Sequence, residues 1–465
     1  MILTPKMVDI FKFLSVRLAD DDIYPHYSYG KKFSLQEVQY FWRRSVKMIL
    51  DGKAPRKLGL YIHIPFCRFR CSYCFCDSYV PGEYQEVLRY VGLLRRELDL
   101  FKKIFRPVSF TSIYFGGGSP SFLKLGDIQG LFEHIYRNFN TSSDCKVVFE
   151  GTPTDLNKGL ISVLARYNVN RLTIGVQSLD AKVIRLINRP QTRSKFIRVF
   201  KDARKAGIPF INVDLIAGLE GQSTASFIRD LKDIIALGAD MVHITPFSPL
   251  PHTPFSLAHK ELSALEKQRR AIMLIEGRKI LQSLSRNISV EDGFGLSDND
   301  FAANAQETDL RKENSSLLGI GYSSHSHPFG EAWYGHPHLV GSKHKPAFKR
   351  VPCFTGVKVC LDEEMRKFII INIFEGFLRS SFAALFKKDP VEAFRKEFQE
   401  LENSGKIKIE NDRIISRIKN RKEYLIYSKV FYSKVRLSAI LQAARPRYRK
   451  DKDYQHDLDM LFADF

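Results

Sequence analysis

Short apolar runs alternate with longer stretches of helical periodicity between residues 58 and 245. Runs at 58–64, 112–115, 146–150, 171–176, 210–216 and 241–245 are rich in β-branched and aromatic residues and read as buried strands. Between them, apolar residues recur with helical spacing near 83–104, 126–138, 155–167, 180–187 with 193–206, and 223–237. Six βα units in succession predict an α/β fold whose parallel sheet curls into a full or partial (β/α)6 TIM-like barrel. Such barrels place their chemistry on loops at the C-terminal ends of the strands. A helix at 264–284 closes this portion.

The flanks read differently. Residues 1–57 form an arm, with helical periodicity at 7–18, a turn-rich stretch containing Tyr24, Pro25 and Tyr27, and an amphipathic helix at 35–50. The barrel portion is 58–285, and a linker expected to cover the active site is 286–361. Residues 362–465 hold a helix, a glycine turn and two short strands, the pattern of a winged helix, followed by a basic tail. A winged helix invites a DNA-binding reading, but fold does not fix function, and a packing or lid module is the preferred reading.

Polar and special residues do fall at the strand ends. The first run leads into YIHIPFCRFRCSYCFC (61–76), which puts four of the seven cysteines within ten residues. Cys67, Cys71 and Cys74 read C-x3-C-x2-C. Three thiolates on one loop can hold three irons of a [4Fe–4S] cluster and leave the fourth open, whereas electron-transfer clusters normally have four cysteines. Zinc is an alternative, although no second knuckle follows, and so are inert thiols; Cys74 and Cys76 are poorly placed for an unstrained disulfide. The second run ends in Gly116-Gly117-Gly118-Ser119-Pro120, where glycines let a ligand approach the backbone. The third, fourth and fifth end at Glu150, Gln177 and Asp214. Such residues closing apolar strands are costly unless paired or turned to a site. The sixth exits at His243 and Ser248.

The cysteine loop, with an aromatic residue before its last ligand, resembles the signature of the radical SAM superfamily. The fuller YIHIPFC…C-x-C string is similar to the family of oxygen-independent coproporphyrinogen III oxidase and its relatives, from about residue 58 to near 415. The resemblance implies a [4Fe–4S] cluster on Cys67, Cys71 and Cys74 that chelates S-adenosylmethionine. An electron from a flavodoxin or ferredoxin-type donor then gives methionine and a 5′-deoxyadenosyl radical, which takes hydrogen from a small-molecule substrate. It places Gly117, Gly118 and Ser119 at the cofactor's amino group, Arg189 at its carboxylate, and Glu150, Gln177 and Asp214 around the remainder. Ser248 falls at the adenine end, and Tyr61 against cofactor or substrate. The segment 317–326 resembles one that folds over the active site and helps to hold a second S-adenosylmethionine in some relatives; there His325 replaces a common aliphatic residue and joins Tyr61 as a catalytic candidate. In Gly218–Ser223, Glu220 replaces the family's usual proline. The implied reaction is propionate decarboxylation of a tetrapyrrole in heme synthesis, favoured by Cys76. Alternatives are a methyl or methylene transferase using two S-adenosylmethionines, a heme chaperone and, from another class, a winged-helix nucleic-acid-binding protein.

Composition adds little to this picture. A hydrophobic fraction of 44% is ordinary for a globular protein, and no apolar run reaches membrane-spanning length. The N-terminal apolar run is short and broken by charge, so no signal peptide is expected; with reduced cysteines this points to the cytoplasm. The net charge of +21, from 72 basic against 51 acidic residues, is concentrated in the tail and reads as a solvated surface; nucleic acid is not expected as a partner. His325, His327, His336, His338 and His344 cluster in sequence and could bind metal or heme, contact substrate carboxylates or lie on the surface. Cys145, Cys353 and Cys360 read as inert thiols.

Overall fold

The computed structural model describes residues 30–250, 253–258, 262–283, 288–290, 294–296, 315–339, 348, 351, 353–419 and 421–433. The expected helix at 7–18, the tyrosine-rich stretch around 24–27, His344 and the tail beyond 433 lie outside the described residues.

After β1 (Lys31–Phe33), six strands pair in chain order, each parallel to the last: β2 (Leu58–Ile64), β3 (Ser109–Gly117), β4 (Asn140–Gly151), β5 (Arg171–Gln177), β6 (Phe210–Ala217) and β7 (Met241–Pro246). The crossovers carry helices Tyr84–Phe101, Leu125–Asn138, Lys158–Arg166, Ala181–Leu186 with Arg193–Lys205, and Thr224–Ala236. Alternation sorts the side chains. Leu60, Ile62 and Ile64 of β2 join the core under the helices, while Tyr61 and His63 face the other way. The same division turns Tyr114, Glu150, Arg171, Thr173, Asn212 and Asp214 away from the helix-side core, into the lumen.

The sheet is larger than the sequence pattern foretold. A hairpin of β8 (Ile288–Val290) and β9 (Phe294–Leu296) adds antiparallel to β7. On the opposite edge, β10 (Ser316–Ile320) pairs parallel with β2, setting Gly319 beside Tyr61. The segment expected only to cover the site therefore begins as a seventh parallel strand. Five residues, SLLGI, are too short a run to be told from a loop by periodicity, yet all five are buried. The nine-stranded order is β10-β2-β3-β4-β5-β6-β7-β9-β8, a partial barrel.

Beyond β10 the chain builds a small antiparallel sheet, β1-β13-β12-β11, from β11 (His325–Ser326), β12 (Ala332–Gly335), β13 (Phe354–Lys358) and the N-terminal β1. Helix Leu35–Leu50, closed by a Ser34–Glu37 capping box, packs on it, and the Trp42 indole donates to the Tyr334 hydroxyl at 2.7 Å. The C-terminal portion has helices Leu361–Asn372, Arg379–Phe386 and Arg395–Asn403 with a sheet of β14 (Phe377–Leu378), β15 (Ile407–Glu410) and β16 (Arg413–Ser416) in the order β14-β16-β15. Gly405, at φ +67°, ends the last of these helices. This winged-helix-like unit has its own core of Phe368, Phe382, Phe398 and Ile414, into which Phe329 inserts from the linker.

Two buried histidine–carboxylate contacts fasten the linker. His336 Nε2 lies 2.6 Å from Glu97 on helix Tyr84–Phe101, and His327 Nε2 lies 2.7 Å from Glu364 on helix Leu361–Asn372. Glu97 also accepts the Gly321 N–H at 3.0 Å. Breaking a buried pair from one side strands the partner. Glu97→Ala is therefore expected to cost on the order of 1–3 kcal/mol by leaving buried donors unsatisfied, seen as a lower urea midpoint at unchanged slope; a shift within experimental scatter would refute this role.

Candidate active site

The cysteine loop leaves β2 and folds back beneath its own carbonyls. Arg70 donates to the carbonyls of Cys74, Cys76 and Ser78 at 3.2, 3.1 and 2.6 Å. The Cys67 N–H donates to Tyr79 and the Cys74 N–H to Cys71. From outside, Asn188 Nδ2 reaches the Arg70 carbonyl at 2.8 Å. Hydrogen bonding from Cys76, helped by Arg70 and Arg189, lowers the Cys74 thiol to about 6 against its burial; burial pushes Cys67 up to about 12.

Arg189 is the loop's counter-charge. Its guanidinium is buried. Nη1 donates to the Cys71 thiol at 3.4 Å and to the Tyr73 hydroxyl at 3.1 Å, Nη2 donates to the Gly175 carbonyl, and Nε to Gln191 at 2.9 Å. Gly175 opens an irregular step in β5, followed by Gln177 at φ +69°. A non-glycine residue held in that region is uncommon and concentrates at functional sites.

Gly116 and Gly117 at the end of β3, and Gly118 just beyond it, are sterically required. A Cβ on Gly116 would sit 2.8 Å from the Tyr114 ring, one on Gly117 2.7 Å from the His63 ring, and one on Gly118 2.9 Å from the Phe66 carbonyl oxygen. Gly117 also has φ +109°. The N–H groups of Gly118 and Ser119 are committed to the carbonyls of Ile64 and Phe66 at 2.7 and 2.9 Å. What this segment can offer a ligand is carbonyl oxygen, which suits an ammonium group.

The lumen beside it is acidic. Glu150 accepts from the Tyr114 hydroxyl. Burial raises its carboxyl to about 7, with Asp214 adding to the rise while Tyr114, Arg171 and the Gly117 N–H oppose it. Asp214 accepts from Asn212 at 2.8 Å and lies 3.7 Å from His243. It occupies the middle of β6, three residues short of its end, so the expectation that it closes the strand is corrected; pairing with β7 extends β6 to Ala217. The Thr173 hydroxyl and the Asn212 amide oxygen are buried without a hydrogen-bond partner among the described residues, an arrangement a hydroxyl-rich ligand would satisfy.

Tyr61 and His325 stand at the other wall. The Tyr61 hydroxyl lies 3.1 Å from His63 Nδ1. Burial lowers both His63 and His325 to about 4, so both are neutral near pH 7. Ser248 does not join them. It is exposed on the loop after β7, and among the described residues its side chain makes no hydrogen bond to the rest of the site.

The remaining histidines correct their sequence reading. His327 and His336 are buried and individually paired with Glu364 and Glu97, and His338 lies 3.3 Å from Asp77. Spacing in sequence could not reveal carboxylates from three separate elements. Among the described residues no group of three or more His, Cys, Asp or Glu side chains could hold a metal ion. The cysteine loop instead fits a wider iron–sulfur group: three thiols on one loop, a guanidinium against the middle one, and a carboxylate lumen beside it for a cationic cofactor. Sequence reasoning missed Arg171, Tyr114 and Asp77. Arg171 had a signal, a cation at the start of an apolar run; Asp77 had none.

Residues 61–234 match the sequence model of the radical SAM superfamily. Over that span the chain is similar to the radical SAM superfamily. Members use a [4Fe–4S] cluster and S-adenosylmethionine. The chain is similar to the oxygen-independent coproporphyrinogen III oxidase of Escherichia coli K12, 28% identical over 279 residues, 58% of this chain and 61% of that enzyme. It is similar to the enzyme of the same name from Helicobacter pylori 26695, 27% identical over 369 residues, 75% of this chain and 79% of that one. Heme chaperone HemW of Buchnera aphidicola is 28% identical over 225 residues, 48% and 59% of the two chains. The solved structure of the Escherichia coli coproporphyrinogen III oxidase superposes with a TM-score of 0.70 at 23% identity, covering 84% of this chain and 92% of that one, and shows the shared fold.

Asp77, one residue past Cys76, ties the linker to the cysteine loop. Its Oδ2 accepts the Leu339 N–H at 2.6 Å and the Ser323 hydroxyl. Hydrogen bonding to Asp77 raises the pKa of His338. The pair's contribution is complete below the ordinary histidine value of about 6.5 and fades as pH climbs through the raised one. Hydrogen exchange at 336–339 is expected to quicken over that rise. Asp77→Asn should flatten the dependence, and an unaltered profile in that variant would remove the pair from any part in closure.

Proposed function

We propose that this radical SAM enzyme is an oxygen-independent coproporphyrinogen III oxidase: each reacting propionate gives a hydrogen atom to the 5′-deoxyadenosyl radical, then loses carbon dioxide to leave a vinyl group, and the remaining electron passes to an external one-electron acceptor. The observation that carries the reading is the meeting of the three-thiol loop, Arg189 and the Glu150–Asp214 lumen at one end of the sheet, in a chain whose relatives bear that name. When bound, the cluster and S-adenosylmethionine supply a 5′-deoxyadenosyl radical by one-electron cleavage of the sulfonium.

The chain's own residues then have separate tasks. Cys67, Cys71 and Cys74 hold the cluster. Arg189 balances thiolate charge and orients the cofactor carboxylate. The Gly117–Ser119 carbonyls and Glu150 receive its ammonium group, and Gln177 and Asp214 its hydroxyls. Tyr61 and His325, both neutral, bound the space where the substrate sits. β10, the small sheet and the linker exclude water from it. A flavodoxin or ferredoxin-type protein in the cytoplasm supplies the electron.

Anaerobic reconstitution with dithionite should yield 5′-deoxyadenosine, and added coproporphyrinogen III should lose two carbon dioxides stepwise. Alanine at Cys67, Cys71 or Cys74 should abolish both, whereas Cys76→Ala should retain the cluster. S-adenosylhomocysteine among the products, or tight heme binding without turnover, would replace the oxidase reading by transfer or chaperoning. Because Glu150 must be ionised to attract a cation, affinity for S-adenosylmethionine should fall as pH drops below about 7. Glu150→Gln should weaken binding roughly tenfold at pH 8 and level the profile, and a variant that keeps the wild-type profile would displace Glu150 from this task.

A further inference from the structure

The chain has two tryptophans, and they sit on opposite faces of the same small sheet. On one face Trp42 donates its indole N–H to Tyr334 at 2.7 Å. On the other, Trp333 is 3% exposed and its indole N–H has no hydrogen-bond partner among the described residues. A buried N–H without an acceptor is destabilising, and buried indoles usually find a partner. The free donor is therefore a feature to be explained by what the face receives.

Register shows which residues share that face. Trp333 is opposite Val357, and Gly335 is opposite both Thr355 and His325; directly paired residues point to the same side. His325, Thr355 and Val357 are only half-buried, so the face is not sealed by the core. The His325 and Trp333 rings are stacked, with centroids 6.5 Å apart. Tyr61 packs against the cluster formed by Trp333, Leu317 and Val359, which places this wall next to the lumen bearing Glu150. From behind, the buried Lys367 ammonium stands 4.8 Å from the centre of the Trp333 ring, polarising the indole and strengthening its N–H as a donor to an anion.

We propose that this face is the substrate wall: a flat apolar ring lies against Trp333 and Val357, and the Trp333 indole N–H donates to a carboxylate carried by that ring. The inference rests on the reading proposed above and adds the residue that selects the carboxylate-bearing substrate. Trp333 is thereby a binding residue in contact with substrate. A role in packing alone would be kept by phenylalanine, which retains the ring and its contact with Lys367 but not the donor.

The test compares wild type and Trp333→Phe, both reconstituted anaerobically, by binding titration with two probes. One is coproporphyrinogen III, the reduced tetrapyrrole of the proposed reaction, supplied without an electron donor so that it is not turned over; the other is pyrenebutyrate, a flat apolar ring with a single carboxylate. The variant should bind each about tenfold or more weakly, as loss of a hydrogen bond to a charged group implies, with an unchanged unfolding midpoint. If pyrenebutyrate alone binds and weakens, the wall stands and the tetrapyrrole reading fails. If the variant loses affinity for neither probe, including the case in which neither binds the wild type, the wall is overturned.

Discussion

A guanidinium cannot be buried without acceptors arranged around it, and Arg189 meets that condition by joining two parts of the molecule. One side of its fork holds the cysteine loop through Cys71 and Tyr73; the other holds the end of β5 through the Gly175 carbonyl. The irregular step in β5 and the left-handed backbone of Gln177 lie where this contact is made. The thiols, the strained glutamine and the acidic lumen therefore share one frame. A cation at its centre tolerates the negative charge that three thiolates bring.

The second constraint is how the linker is held over this frame. Each attachment uses a carboxylate from a different element: Glu97 from a barrel helix, Glu364 from the C-terminal helix and Asp77 from the cysteine loop. The first two are fully buried, where removal of either partner is costly. The third is partly solvated and titrates with His338. The winged-helix-like unit is tied in through Glu364 and the inserted Phe329, which gives it a mechanical part in shaping the wall around Trp333, with no appeal to nucleic acid.

Much of this was legible in the chain. The six central strands and their helices follow from apolar runs and helical spacing, because parallel strands buried on both faces cannot hide their composition. The cysteine spacing, the glycine run, Glu150 and Gln177 stood out because each is expensive in its place unless it serves a site, whereas Arg189 was placed by resemblance. Less legible were β10, too short for periodicity, and Asp214, whose position within β6 depends on pairing with β7. The histidines misled because five in twenty residues suggest a common ligand, while burial gave the described pairs separate carboxylates. Ser248 was placed by resemblance, and the loop after β7 leaves it exposed.

By itself the sequence determined the chemistry the chain carries: three thiols at cluster spacing, glycines where a backbone must be approached, and charges at the ends of apolar strands. These are local facts, written in adjacent residues. Only the tertiary structure decided the company those residues keep: Arg189 against Cys71, Arg171 within electrostatic reach of Glu150 and Asp214, Asp77 beneath the linker, and a buried indole N–H without a partner among the described residues on the face beside Tyr61. Such contacts join residues far apart in the chain, and their energy depends on burial and geometry that no single stretch of sequence encodes.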